Sequence, residues 1–78
     1  MAARKKRAER DIDNDVSRAA FVTKLRRLAD ALESGKRYRL QVAGERISVP
    51  PSARLSIEHE RDDDGEEIEF QLSWSLDD

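Results

Sequence analysis

No cysteine occurs among the 78 residues, which excludes a disulfide framework and any thiolate metal site. The single histidine, His59, has neither a thiol nor a second imidazole to work beside, so it is a poor basis for a metal centre or a nucleophile–base pair. Its ordinary reading is a half-exposed polar residue at a sheet edge. Aromatic residues are scarce: one Trp, one Tyr and two Phe. Long apolar runs are missing too, and none approaches the ~20 residues that span a bilayer. Arg4, Lys5, Lys6 and Arg7 resemble the basic start of an export signal, yet residues 8–15 are charged where an apolar segment should follow. These gaps predict a cytoplasmic chain with no membrane partner. They also predict no enzyme, because no convergent acid, base and nucleophile set is in view. No cofactor or metal is implied.

What is present is charge. Asp, Glu, Lys and Arg make up 41% of the chain against 37% hydrophobic residues, a balance that leans toward disorder unless the apolar residues are periodic. They are periodic, and the length allows one small domain. The net charge of −2 conceals an asymmetry. Residues 1–54 carry fourteen Lys and Arg against seven Asp and Glu, while residues 55–78 carry one Arg against ten acids. Either the basic part meets an anionic partner or the two parts neutralise each other, within a monomer or between subunits.

Residues 1–15 hold the basic cluster and then Asp11, Asp13 and Asp15, with Ile12 the one sizeable aliphatic group. Such an arm has little to bury and reads as disordered on its own. Arg4, Lys5, Lys6 and Arg7 are its candidate nucleic-acid contacts, through phosphate pairs that salt would weaken; the plainer reading is a solubilising tail. Ser17 suits a helix N-cap. Phe21, Leu25, Leu28 and Leu32 then recur at helical spacing, Gly35 is placed as the left-handed terminator, and Lys36 and Arg37 sit near the negative end of the dipole. A helix over about 18–34 follows, with a stripe too narrow for a membrane-surface helix and suited to covering a sheet.

After Arg37 the period changes from 3.6 to 2. Tyr38, Leu40 and Val42 share one face, Ala43-Gly44 supplies a tight turn, and Ile47 and Val49 resume the apolar side, predicting an antiparallel pair. Pro50 and Pro51 cannot donate to a ladder, so the second strand must end there. A third strand begins near Ala53 with Leu55 and Ile57 inward. The polar turn 61–66 leads to the most strongly patterned stretch, 66–76, in which Ile68, Phe70, Leu72, Trp74 and Leu76 alternate with Glu67, Glu69, Gln71, Ser73 and Ser75. Only a strand keeps that alternation on one face. Glu60, Asp62, Asp64 and Gly65 match the opening of a calcium loop, but Glu67 stands at its hydrophobic position and Gln71 at its closing Glu, so the turn reading prevails.

The runs Gly44-Glu45-Arg46-Ile47-Ser48-Val49-Pro50-Pro51, Leu55-Ser56-Ile57-Glu58 and Glu67-Ile68-Glu69-Phe70-Gln71-Leu72-Ser73-Trp74, with the helix end Leu28-Ala29-Asp30-Ala31-Leu32-Glu33-Ser34-Gly35, resemble the amphi-Trp domain, a small prokaryotic domain named for an amphipathic strand ending in Trp. The resemblance spans about 16–74. It implies a bacterial or archaeal source and the fold, and brings no activity, cofactor or catalytic residue.

The expected architecture is α+β: one N-terminal amphipathic helix packed on one face of a four-stranded antiparallel meander, the domain covering 16–76, with an acidic tail at 77–78. Arg37, Arg39, Arg46 and Arg54 would share the outer face with Glu58, Glu60, Glu67 and Glu69 as cross-strand charge pairs, or as a docking face with a positive and a negative half. The core is small, which predicts thin stability alone and favours a homodimer. The function expected is a non-catalytic interaction module, self-associating or binding a protein partner. Its candidate contacts are Trp74 and that charged face. The alternative is a nucleic-acid accessory protein using the basic arm and the Arg-bearing face, which is weakened by the inward parity of Tyr38, Phe70 and Trp74.

Overall fold

The computed structural model describes Arg10 and residues 12–76. The basic cluster at residues 4–7 and the acidic tail at 77–78 lie outside the described residues.

Helix α1 runs Arg18–Ser34, the span that the helical period marks out. Ser17 starts it by accepting from the Ala20 backbone N–H at 3.2 Å, satisfying one of the free amides of the first turn. Gly35 stops it at φ 66°. There its N–H reaches the Leu32 carbonyl and the Lys36 N–H reaches the Ala31 carbonyl, the paired closure that a left-handed residue permits.

Strands β1 (Tyr38–Val42) and β2 (Glu45–Val49) form one antiparallel hairpin. Ala43 at φ 48° and Gly44 at φ 84° make the two-residue turn, whose positive φ values match the twist of the flanking strands. Strands β3 (Arg54–Arg61) and β4 (Glu66–Ser73) form the second hairpin. At its tip Asp62 accepts from the backbone N–H of Asp64 and Gly65 through Oδ1, at 2.8 and 3.0 Å. That carboxylate closes its own turn, which is how Asp competes for turn positions.

The two hairpins do not join. They are two separate two-stranded sheets, β1-β2 and β3-β4, so the four-stranded meander expected from the period is corrected to a pair of hairpins. The physical break is at Pro50 and Pro51, which remove two successive donors between β2 and β3. The helix does not lie across a single sheet either. It packs against β1, where the Tyr38 hydroxyl donates to the Lys24 carbonyl at 3.0 Å.

That packing uses an edge of the apolar stripe. Ala20, Lys24, Leu28 and Ala31, at i, i+4, i+8 and i+11, are part-buried, while Phe21, Val22 and Leu25 on the adjoining sector are exposed. Among the described residues the buried hydrophobic side chains of the core are Tyr38 and Val49, 9% and 6% exposed. They face each other across β1 and β2, so the closed part of the core sits between the first hairpin and α1.

Candidate interaction surface

On the second hairpin the alternation does its expected work of sorting side chains by face. Leu55 lies opposite Leu72, Ile57 opposite Phe70, and His59 opposite Ile68 on one face; Ser56 lies opposite Gln71, Glu58 opposite Glu69, and Glu60 opposite Glu67 on the other. The apolar face is open. Leu55 is 57% exposed, Ile57 67%, Ile68 64% and Phe70 67%. Parity places Phe70 on this inward face, as found; what differs is that among the described residues nothing covers it.

A mainly apolar cleft of about 500 Å³ runs between this face and the C-terminal half of the helix, lined by Leu28 and Leu32 from α1 and by Leu55, Ile57, Phe70 and Leu72 from the hairpin, with Ser56 and Gln71 beside them. Its helix wall continues outward to Leu25 and Phe21, 43% and 55% exposed. Side chains that a single closed domain would bury here form the two walls of an open groove. Contiguous apolar surface of this kind marks interaction sites in soluble proteins. Trp74 is part-buried just beyond the end of β4.

Arg61 and Glu66 pair across β3 and β4 with opposite sign, but the four arginines and four glutamates expected to share the outer face do not pair with each other. Arg37, just before β1, donates to the Ser48 hydroxyl at 3.1 Å, Arg39 lies opposite Ser48, and Arg46 opposite Gln41. Arg54 opens β3 opposite Ser73. Among the described residues the ion pairs are Arg10 with Glu45, and His59 and Arg61 with Glu66. None joins Arg37, Arg39, Arg46 or Arg54 to Glu58, Glu60, Glu67 or Glu69, so the expected cross-strand pairs are corrected. The cause is the same proline break: the basic face lies on the first hairpin, and the acidic face, Arg54 apart, on the second.

Like charges face each other instead. Glu58 opposes Glu69 and Glu60 opposes Glu67, an arrangement that destabilises a strand pair. Repulsion from Glu69, followed by desolvation and then by Glu60 and Asp13, holds the Glu67 carboxyl above the usual range. Gln71 relieves part of this by donating from Nε2 to Glu58 at 2.9 Å and to Glu69 at 3.3 Å. Carboxylate oxygens of Glu58, Glu60 and Glu69 come within 4.8 Å of one another, the closest approach to a cation-ligating set among the described residues. At the hairpin tip, the hydrogen bond from His59 and then the Arg61 guanidinium hold the Glu66 carboxyl below the usual range.

Two features had no signal in the sequence. Lys24 and Arg27 of α1 join Arg39 and Arg46 around a concavity of about 400 Å³ floored by Tyr38 and Leu40; nothing in the helical period says which hairpin the helix cations will meet. Arg10, inside the segment read as a free arm, hydrogen-bonds Glu45 Oε1 and the Val42 carbonyl, both at 2.5 Å, and so ties 10 to the turn of the first hairpin. The candidate contacts at Arg4, Lys5, Lys6 and Arg7 lie outside the described residues. No helix among the described residues is long and apolar enough to cross a membrane.

No curated protein and no solved structure matches the chain. The model of one family does match, over residues 4–78, which extends the resemblance read from 16–74 to nearly the whole length. A match over nearly the whole length places it: the chain belongs to the Amphi-Trp domain family.

Proposed function

We propose that this chain is a non-catalytic interaction module whose working surface is the open apolar cleft between α1 and the second hairpin, closed by the apolar face of another polypeptide. One observation carries the reading: Leu55, Ile57, Ile68 and Phe70, the apolar face of a well-formed hairpin, each leave more than half their surface in solvent. Burying a side chain of this size stabilises by roughly 1.5–3 kcal/mol, so a covering partner has a large return available. A sheet covered by a helix, as the sequence pattern calls for, is then completed between chains instead of within one. Two charge substitutions test the reading. Because these side chains already face water, Ile57→Glu and Phe70→Glu should keep the far-UV circular dichroism of the parent and lose association; unfolding of both variants would show the face to be closed core and defeat the proposal.

A second reading has its own observation. Lys24, Arg27, Arg39 and Arg46 converge on one concavity, and none has an ion-pair partner among the described residues, as expected of a surface that meets phosphates. Anisotropy with mixed single-stranded DNA should then show binding that falls steeply from about 50 to about 200 mM salt; no binding even at the lower salt would remove this reading.

A further inference from the structure

Resting on the reading of the cleft as an interaction surface, we infer that its occupant is a second copy of this chain, related by a two-fold axis that lays each copy's helix stripe on the other's second hairpin. Three observations converge on a second copy. The first is area. Phe21 and Leu25 on the helix wall and Leu55, Ile57, Ile68 and Phe70 on the hairpin wall leave about 700 Å² exposed, at roughly 200 Å² per fully accessible large side chain. A standard interface buries ~800 Å² per partner, and the largest patch on an ordinary monomer is ~300–600 Å².

The second is shape. The cleft has one helical wall and one sheet wall, so a copy turned through a two-fold presents to each wall the kind of element that wall lacks. From Phe21 to Leu32 the stripe rises about 17 Å, and the row from Leu55 to His59 about 13 Å, so the hairpin row spans about three-quarters of the stripe. The third is charge. Helix α1, Arg18–Ser34, carries a net +2 and the second hairpin, Arg54–Ser73, a net −6. Glu58, Glu60, Glu67 and Glu69 stand on the hairpin's other face, so the attraction acts through the summed charge of the two elements: helix on hairpin brings opposite net signs together twice by symmetry, whereas hairpin on hairpin would bring like signs together. Closure by a two-fold leaves no free patch to propagate, which favours a dimer over a filament.

Sedimentation of the full chain from about 1 to about 300 μM should show a monomer–dimer equilibrium shifted toward monomer by salt. Phe70→Glu should raise the dimer dissociation constant at least ~100-fold at unchanged circular dichroism. With no native thiol to interfere, two single-cysteine chains, Leu25→Cys and Ile57→Cys, report the arrangement: mixed and oxidised, they should form the mixed disulfide in preference to either homodisulfide. A monomer throughout the range, a ladder of higher oligomers, or homodisulfides alone would each overturn the inference. A monomer that binds an apolar dye, with dye emission lost in Phe70→Glu, would overturn the second copy and keep the interaction module. A monomer that binds no dye would overturn both.

Discussion

Ile57 and Phe70 sit directly opposite each other across β3 and β4, and each leaves two-thirds of its surface in solvent. They are a cross-strand pair on a face that no core closes over. Phe70→Ala should therefore cost about 1 kcal/mol or less in dilute protein, where a fully buried Phe would cost roughly 3–5 kcal/mol. At high protein concentration the same substitution should cost more, because association then adds to stability. Urea unfolding at two protein concentrations reads the difference.

Tyr38 and Val49 answer differently, since they are the buried pair. Tyr38→Phe removes the hydrogen bond to the Lys24 carbonyl and should destabilise by about 1 kcal/mol. Val49→Ala should cost about 2 kcal/mol from lost burial. Neither loss should depend on protein concentration, because both side chains belong to the closed side of the molecule.

Ends of the helix offer a third test. Ser17→Ala removes the acceptor for the Ala20 N–H and should cost about 1 kcal/mol. Gly35→Ala should cost about as much, ~1 kcal/mol, through its positive φ alone; a Cβ there meets nothing within 4 Å, so no steric clash adds to it. Thermal unfolding followed at 222 nm measures both.

Two adjacent carboxylates should give opposite pH responses. Glu66 is lowered by His59 first and Arg61 second, so its contribution is present above the ordinary carboxylate value and is lost as pH falls through its lowered folded value. Glu67 is raised, mainly by Glu69. Its protonated form favours the fold, so stability declines as pH rises from the ordinary carboxylate value through the raised one. Glu66→Gln should flatten the acid limb of Tm against pH, and Glu67→Gln should raise Tm at pH 7. Added salt, by screening the facing glutamates, should shrink the Glu67→Gln gain.

Much of the local structure was legible because it is encoded within a few residues. Ser17, the stripe Phe21 to Leu32 and Gly35 define a helix whose ends are those observed. Ala43-Gly44 defines a turn that only positive φ allows, and alternation defines the strands and their faces. Alternation predicts a fourth strand reaching Leu76, and it ends at Ser73; apolar alternation continues past the last residue that has a ladder partner. That the arginines of the first hairpin do not pair with the glutamates of the second was not legible, because it depends on which strands share a sheet. Nor was the basic concavity, whose cations come from two elements brought together only by packing.

By itself the sequence determined one helix, four strands, two antiparallel turns, the apolar side of each element and the separation of basic from acidic charge. These follow from backbone geometry and side-chain period, which act over neighbours. Only the tertiary structure decided that Pro50 and Pro51 divide the strands into two hairpins, that α1 uses the Ala20–Ala31 edge of its stripe against β1, and that the apolar face of the second hairpin stays open. The physical reason is that an apolar face specifies that it must be covered, and says nothing of whether its own chain or another supplies the cover.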